Sequence, residues 1–364
     1  MFRRLFCYVF LTFCVASCLT CHAFAVNTSA ASFVLMEQGS GRMLLRQEAD
    51  EPRLIASITK IITAVVALER GDLRERYTVT AEDMAEGSSM YLKPGEELEL
   101  EALLYGLMLA SGNDAALAVA HCVSGSVEKF VAEMNAMAAR LGMSATHFEN
   151  PNGLDGQKHY STAADMAKLT AYALENGDFR RIVSTVSVTL GERYLTNHNK
   201  LLHRYSGCIG VKTGYTKAAG RTLVSAVERQ GMTLICVTLC DGDDWNDHMT
   251  LYDWAFETYT LKTVARAGEV LGCAAVSGGS VPWVMAAVEE ELAFPVKDGE
   301  KLTLEVQLPA FVAAPVIPGQ VLGSANVLLD GQTVRTVPLV AVGTSAAQTT
   351  NEKRTPSLWE RFFG

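Results

Sequence analysis

Apolar residues recur at helical spacing in several segments of the first two thirds of the chain. The first such segment follows Lys60 and reaches Gly71, a typical stop signal. The others are residues 98–110, 115–121, 127–141 before Gly142, a helix that opens near Ser161 or Thr162, and 245–259. Asn113 or Asp114 is placed to cap the helix over 115–121. These segments predict a largely helical region before residue 260.

Shorter runs of strand-like composition lie at both ends of this helical region. Residues 31–37 and 42–46 flank a glycine-rich turn and predict a β-hairpin. Further strands, joined by short glycine-containing turns, are predicted at 209–214, 221–229 and 232–239. Strands at both ends with helices between them predict one α/β (α+β) domain, residues 26–262, whose antiparallel sheet is covered by helices.

From about Leu261 the pattern changes to short β-like runs without helical periodicity. The predicted strands are residues 287–294, 301–308, 325–329 and 333–339. A turn at Asp330-Gly331 joins the last two. We therefore expect a small all-β domain over residues 263–345, in which we identify no candidate chemistry.

The last residues, 346–364, predict a flexible tail with a short amphipathic end. Leu358, Trp359, Phe362 and Phe363 would share one face of a terminal helix. That helix either contacts a membrane surface weakly, because it is too short to hold there alone, or frays.

The first 25 residues have the pattern of a secretory signal peptide. Arg3 and Arg4 precede an apolar run, and Ala23-Phe24-Ala25 offers a small-residue cleavage site. The alternative is a lipoprotein signal over residues 15–18, with Cys18 as the lipidated residue. Removal of the two leader arginines leaves 29 basic against 40 acidic residues, so the net charge falls from −9 to −11. A secreted acidic chain of this kind is not expected to bind nucleic acid.

Five cysteines follow the leader: Cys122, Cys208, Cys236, Cys240 and Cys273. Their number is odd, their spacing lacks CxxC pairs, and several lie in apolar runs. We expect buried free thiols, with neither a disulfide framework nor a metal site.

Ser57-Ile58-Thr59-Lys60 is the first candidate for chemistry. Positions three apart share a helix face, so the Lys60 amine would lie beside the Ser57 hydroxyl and could accept its proton. Ser57 at a helix start would also have free backbone N–H groups near it for an oxyanion. A second match, Ser126 to Lys129, lies in an ordinary amphipathic helix, where Ser126 is expected to be a capping residue.

Two further short patterns follow in order. Ser111-Gly112-Asn113 precedes a helix, and its echo at Ser324-Ala325-Asn326 is explained by turn chemistry. Lys212-Thr213-Gly214 ends an apolar strand. There a glycine would let another backbone approach, and the lysine and threonine could meet the carboxylate of an added peptide.

Together and in this order, the three patterns resemble the D-alanyl-D-alanine carboxypeptidase family, the low-molecular-weight penicillin-binding proteins. The likeness covers roughly residues 30–262, includes the stretches 150–154 and 159–166, and extends more loosely into the β-rich region. It implies a penicillin-binding/β-lactamase-like transpeptidase fold and a serine peptidase that needs no metal or cofactor. Its implied substrate is a peptidoglycan stem pentapeptide, and its implied inhibitors are β-lactams.

The resemblance also implies a role for each matching residue. Ser57 would attack the carbonyl between the two terminal D-alanines, and Lys60 would accept its proton. Ser111 and Asn113 would pass the proton to the leaving amine and hold the substrate amide.

The same resemblance implies a binding strand. Lys212, Thr213 and Gly214 would line the bound peptide, and the backbone N–H groups of Ser57 and Tyr215 would form the oxyanion hole. The implied location is outside the cytoplasmic membrane, on the cell-wall side.

One region departs from the family. Many members carry an arginine just before the last helix of the catalytic domain, where this chain has the acidic stretch 241–248. Either Lys212 and Thr213 suffice for the substrate carboxylate, or the substrate preference differs. His248 is expected on the helix surface, and His159 is expected to be structural and not a base.

Two alternatives share the motifs. A β-lactamase would need a glutamate placed over the acyl ester, and residues 111–212 contain no Glu-x-x-Leu-Asn stretch. A non-catalytic penicillin or peptidoglycan sensor would be expected to carry a membrane span and an output domain, which the sequence pattern does not indicate.

Overall fold

The structure is a computed structural model that describes residues 26–348, so the predicted leader and amphipathic end lie outside the described residues. The helices are α1 (Lys60–Arg70), α2 (Leu100–Met108), α3 (Asn113–Ser124), α4 (Val127–Arg140), α5 (Ala163–Ala173), α6 (Gly177–Ser184), α7 (Leu201–Arg204) and α8 (Asp244–Thr258). The strands are β1 (Ser32–Glu37), β2 (Met43–Gln47), β3 (Arg76–Thr78), β4 (Glu97–Glu99), β5 (Ser187–Leu190), β6 (Arg193–Thr196), β7 (Cys208–Thr216), β8 (Gly220–Arg229), β9 (Met232–Leu239), β10 (Tyr259–Ala265), β11 (Val270–Ser277), β12 (Trp283–Ala287), β13 (Leu292–Lys297), β14 (Leu302–Gln307), β15 (Phe311–Ala313), β16 (Val321–Leu329) and β17 (Gln332–Val342).

A five-stranded antiparallel sheet, in the order β2-β1-β9-β8-β7, forms the centre of the first domain. Alternate residues of β1 enter two different cores, as the pleat of a strand requires. Val34 and Met36 pack with the helices α1 to α6, whereas Phe33 and Leu35 pack with α8. β1 is therefore buried along its whole length. The predicted fold, an antiparallel sheet covered by helices, is confirmed.

The second domain contains a six-stranded sheet in the order β14-β16-β17-β12-β11-β15 and a two-stranded sheet of β10 and β13. The prediction of one strand over residues 287–294 is wrong. β12 ends at Ala287 and β13 begins at Leu292, because the exposed acidic residues 289–291 form the connection between them. The predicted hairpin at Asp330-Gly331 is confirmed by the pairing of β16 with β17.

The turn of the first hairpin contacts the second domain through Arg42. Its guanidinium donates to both carboxylate oxygens of Glu300, at 2.6 and 2.8 Å, and to Pro295 O at 2.6 Å. It also lies 5.1 Å from the ring centroid of Tyr259 and 5.5 Å from that of Phe294. Since both partners of the ion pair are mostly buried, this joint is a strong contact between the domains.

The prediction that His248 lies on the surface of α8 is wrong. Its side chain is fully buried between α8 and the sheet, where Nδ1 lies 2.7 Å from Ser225 Oγ and Nε2 lies 3.0 Å from Thr238 Oγ1. Burial lowers the pKa of His248 to about 3, so the ring is neutral. Polar partners on two adjacent strands allow a histidine to face the core.

The acidic stretch before α8 has a structural function. Ser29 Oγ lies 2.7 Å from Asp241 Oδ1 and 2.8 Å from Asp247 Oδ2, so its single proton is shared between the two carboxyl groups, and Asp247 Oδ2 also accepts from Ser29 N. These contacts fasten the segment before β1 to the start of α8.

The cysteine prediction is only partly right. All five described cysteines are free thiols, and Cys236 is buried. Cys240 and Cys273 are exposed, however, and Cys240 lies just outside β9.

Within residues 26–348, no single helix is long and apolar enough to cross a bilayer. Only α3 and α4 taken together reach the required length and composition, and they are bent by 87° at the break between them.

Candidate active site

Ser57 lies in a 3-10 turn, Ala56–Thr59, and α1 begins directly after it at Lys60. We expected Ser57 at the start of the α-helix itself, but the tighter turn precedes it. Ala56 has a φ of +49°, in the left-handed region that alanine rarely adopts. Thr59 Oγ1 donates a hydrogen bond of 2.8 Å to Ala56 O and so stabilises this bend from inside the turn.

His159 stabilises the serine turn through a contact with Thr59. Its Nδ1 accepts a hydrogen bond from Glu149 N at 3.1 Å, so Nε2 carries the proton and donates to Thr59 Oγ1 at 2.8 Å. Burial lowers the pKa of His159 to about 4, which keeps the ring neutral. His159 therefore positions the turn through Thr59, in agreement with the expected structural role.

Lys60 is the centre of the site. Its side chain is completely buried, and Nζ donates to Ser57 Oγ at 3.0 Å, to Asn113 Oδ1 at 2.7 Å and to Asn152 O at 2.5 Å. Among the described residues its hydrogen-bond partners are all uncharged. Burial lowers the pKa of Lys60 well below its usual value, and the nearby charge of Lys212 lowers it further.

The sequence did not predict that the loop around Asn152 would contact the catalytic residues. The carbonyl of Asn152 accepts the hydrogen bond from Lys60, and the next residue, Gly153, packs against the serine turn. A Cβ at Gly153 would clash with Ala56 O and lie 3.0 Å from Thr59 Oγ1, and the residue has a φ of +85°. Only glycine fits this close approach without strain.

Asn113 links the lysine to a neighbouring loop. Its Nδ2 donates to Glu86 O at 2.6 Å while its Oδ1 accepts from Lys60. Ser111, two residues earlier, is nearly buried and has a φ of +58°. The expected capping of α3 by Asn113 or Asp114 is wrong, because Gly112 is the N-cap residue and contributes no side chain.

Asp114 instead holds the loop over residues 89–92. Its carboxylate accepts hydrogen bonds from Ser89 Oγ at 2.5 Å and from the backbone N–H groups of Met90 and Leu92, both at 3.0 Å. Since Asp114 directly follows Asn113, this network fixes the end of α3 that carries the amide.

β7 runs along the other side of the serine turn. A Cβ at Gly214 would lie 2.9 Å from Ser57 N and 3.1 Å from Ile58 N. The glycine thus lets the backbone of the serine turn approach β7. The approach of an added peptide to the same strand stays a prediction.

The other predicted residues of β7 lie directly before and after Gly214 in the strand. Lys212 is buried and donates to Thr213 O at 2.8 Å, and burial lowers the pKa of Lys212 to about 7. Tyr215 is 65% exposed, so the strand opens to solvent at this end.

Arg221 is a residue that the sequence analysis missed. It lies on β8 directly opposite Tyr215, so both side chains project from the same face of the sheet. Its Nε donates to Asp244 Oδ2 at 3.1 Å, and Nη2 donates to Asp244 Oδ1. The guanidinium therefore lies at the start of α8, where the sequence itself shows only acidic residues.

The two echoes of the motifs lie away from this site. Ser126 Oγ accepts from Lys129 N at 3.3 Å, which confirms a capping serine. Ser324 and Asn326 lie within β16, so the turn predicted for them is wrong; Asn326 Oδ1 accepts from Thr336 Oγ1 on the paired strand. In the described part of the chain, His, Cys, Asp and Glu side chains form no cluster suited to a metal ion.

Comparisons with known proteins agree with this geometry. The sequence profile described as D-alanyl-D-alanine carboxypeptidase matches residues 20–242, and the profile of the penicillin-binding protein 5 C-terminal domain matches residues 259–344. The chain is 32% identical over 352 residues to the D-alanyl-D-alanine carboxypeptidase DacF of Bacillus subtilis, an alignment that covers 92% of this chain and 90% of that protein.

Two more relatives extend the agreement. The D-alanyl-D-alanine carboxypeptidase DacB2 of Mycobacterium tuberculosis is 37% identical over 240 residues, covering 62% of this chain and 82% of that protein. The crystal structure of penicillin-binding protein 5 from Haemophilus influenzae superposes with a TM-score of 0.77 at 26% identity, over 88% of this chain and 98% of that one. The predicted family and fold class are thereby confirmed: the chain belongs to the D-alanyl-D-alanine carboxypeptidase family of serine peptidases.

Proposed function

We propose that the protein removes the terminal D-alanine from peptidoglycan stem pentapeptides through an acyl-enzyme on Ser57. The observation that carries the proposal is the fully buried Lys60 amine, 3.0 Å from Ser57 Oγ and with a lowered pKa. Because the lowered pKa lets Lys60 give up a proton more readily than an ordinary surface lysine, its amine in the neutral form can accept the serine proton.

In the acylation step, Ser57 Oγ forms a bond to the carbonyl carbon between the two D-alanines as its proton passes to Lys60. The C–N bond then breaks, and the proton passes to the leaving amine with the help of Ser111 and Asn113. The contact between Asn113 Oδ1 and Lys60 Nζ supports this relay. Free D-alanine departs at this point. Water then hydrolyses the ester, which releases the shortened peptide and restores the Ser57 hydroxyl.

The oxyanion would be stabilised by the backbone N–H groups of Ser57 and Tyr215. The close approach of Gly214 to Ser57 N supports this assignment, because it brings the two peptide segments side by side. A β-lactam carbonyl would occupy the same position and leave a slowly hydrolysed ester on Ser57.

The substrate carboxylate would be bound by Lys212, Thr213 and Arg221. Arg221 replaces the arginine that many family members carry before the last helix, since its guanidinium reaches the start of α8 from β8. It is about half exposed on one side and paired with Asp244 on the other, so a carboxylate can approach it.

The decisive experiment uses a diacetyl-Lys-D-Ala-D-Ala peptide and penicillin. We expect release of D-alanine from the peptide and a penicilloyl adduct on Ser57 by mass spectrometry. An adduct on another residue, or no D-alanine from any pentapeptide analogue, contradicts the proposal. Rapid turnover of the penicilloyl adduct would favour the β-lactamase alternative, and acylation without peptide hydrolysis would favour a binding protein.

The family acts on the cell wall, so the protein is extracytoplasmic. We further propose that residues 1–25 are a cleaved leader, that residues 26–262 and 263–345 are the two folding units, and that the amphipathic end at 358–363 contacts the membrane surface weakly. Mass spectrometry of the secreted chain, with Val26 expected as the first residue, tests the leader.

A further inference from the structure

A solvent-facing apolar surface covers the outward side of the second domain. We call it the outer apolar face, and its members are Cys273, Ala275, Trp283, Met285, Phe311 and Val342. Its large side chains are strongly exposed: Phe311 by 66%, Trp283 by 60%, Met285 by 56% and Val342 by 51%.

Strand register brings these residues together in two adjoining rows. Ala275 pairs with Trp283 on one side and with Phe311 on the other. Met285 pairs with Cys273 and with Val342. Paired residues project from the same face of a sheet, so the two rows form one continuous patch. The intervening residues, such as Ala274 and Val284, point inward to the core of the domain.

Charged residues are absent from the strands that form most of this patch. β11, β12 and β15 read VLGCAAVS, WVMAA and FVA, with no Asp, Glu, Lys or Arg in these described strands. The exposed side of a sheet in a soluble domain normally carries polar residues. A contiguous apolar patch of this kind marks a contact surface.

The chain leaves the described region beside this patch. Gln348 N donates to Gly278 O at 2.8 Å, and Ala347 forms a bridge with Gly279. Gly278 and Gly279 belong to the turn between β11 and β12, and β12 begins at Trp283, a few positions later. The nine residues 349–357 span at most about 30 Å, so the apolar end at 358–363 begins within about 30 Å of Gln348.

We propose that the outer apolar face rests on the lipid surface of the membrane as a second contact beside the C-terminal segment. This rests on the extracytoplasmic location and the weak terminal anchor proposed above, but not on the catalytic mechanism. One short amphipathic segment binds a membrane marginally, whereas two signals together give stable attachment. The face supplies the second signal at the end of the domain where the first emerges.

The shape and composition of the face favour lipid over a docked peptide. Its large side chains project from the sheet, whereas a peptide helix is normally received by a concave groove. Tryptophan and phenylalanine suit the boundary between lipid headgroups and acyl chains. The net charge of −11 opposes attraction to anionic lipid, so burial of the apolar side chains would drive the contact.

The first test is partitioning of the chain from Val26 to Gly364 onto phosphatidylcholine vesicles in a sedimentation assay. We expect the Trp283→Ser/Phe311→Ser variant to partition at least about tenfold more weakly than the wild type. The matched control is Tyr91→Ser/Tyr194→Ser, which removes two aromatic side chains of the first domain that are 78% and 70% exposed. This control should partition like the wild type.

The second test uses the two exposed thiols. Vesicles should slow the labelling of Cys273 by a water-soluble maleimide at least about fivefold, while labelling of Cys240, on the first domain, stays within about twofold. Penicillin acylation of Ser57 in each variant reports that the catalytic domain is folded, and it separates failure of this proposal from failure of the proposed function.

Three results overturn the proposal. Equal partitioning of the Trp283/Phe311 variant and the wild type would leave the C-terminal segment as the whole anchor. Protection of Cys273 without vesicles that is lost on Trp359→Ser/Phe362→Ser would mean that the tail covers the face. Protection without vesicles that rises with protein concentration would mean that a second copy covers it.

Discussion

Lys60 Nζ donates a 3.0 Å hydrogen bond to Ser57 Oγ although the two residues belong to different kinds of helix. The serine lies in a 3-10 turn and the lysine is the first residue of α1. Three residues make one turn of a 3-10 helix, so the two side chains emerge on the same side. Asn113 and Asn152 complete the environment of the amine.

Replacement of the lysine tests its role as the base. Lys60→Met retains most of the buried volume and removes the amine, so we expect a folded protein whose acylation by penicillin is about 10²- to 10⁴-fold slower. Mass spectrometry of the Ser57 adduct over time gives the rate, and circular dichroism verifies the fold. Acylation at nearly the wild-type rate would exclude Lys60 as the base.

The two buried lysines predict a bell-shaped pH profile for kcat/KM. Lys60 must be neutral to accept a proton, so activity rises as pH increases through its lowered pKa. Lys212 must be charged to bind a carboxylate, so KM rises once pH exceeds its pKa of about 7 in the free enzyme. D-Alanine release measured from about pH 5 to about pH 10 should show both limbs. A KM that is constant across the alkaline limb contradicts the assignment of Lys212.

Gly214→Ala tests the approach of β7 to the serine turn. The added methyl group would clash with Thr222 Oγ1 and press on the backbone N atoms of Ser57 and Ile58. We expect acylation to slow by roughly 100-fold because the serine is displaced. Gly177→Ala is the matched control: its Cβ meets no atom within 4 Å. Equal acylation rates in both variants would show that the turn adapts without loss of geometry.

Arg221→Gln tests carboxylate binding. Loss of a charge-assisted hydrogen bond should raise KM for a peptide with a free C-terminal carboxylate by about tenfold, with a smaller change in kcat. A peptide with a C-terminal amide provides the control, because it lacks the charge that Arg221 would bind. If KM for the two peptides changes equally, the guanidinium serves only Asp244 and the start of α8.

The sequence was most informative where chemistry depends on short spacing. Ser57 and Lys60 are three positions apart, and their motif predicts the contact that the structure has. Much of the fold followed in the same way, because the short apolar run of β1 and the periodicity of α4 are local patterns.

What the sequence did not reveal depends on contacts between distant segments. The carbonyl of Asn152 has no side-chain signature. The bend at Ala56 is stabilised by Thr59 of the same turn, which in turn contacts His159, 100 residues further along the chain. Arg221 was missed because it precedes α8 by more than twenty residues in the sequence, and only the fold brings its guanidinium to Asp244. The position of His248 was predicted wrongly because its hydrogen-bond partners, Ser225 and Thr238, lie on β8 and β9. The periodicity of α8 gives no information about these strands.

The ion pair between Arg42 and Glu300 has a consequence for where the enzyme can work. A joint that is buried, doubly hydrogen-bonded and flanked by two rings resists bending. If the second domain rests on a surface, Ser57 then stays at a set height above it. Stem peptides that lie at that height in the cell wall would be trimmed first. The position of a peptide in the wall, as well as its sequence, would then decide whether it becomes a substrate.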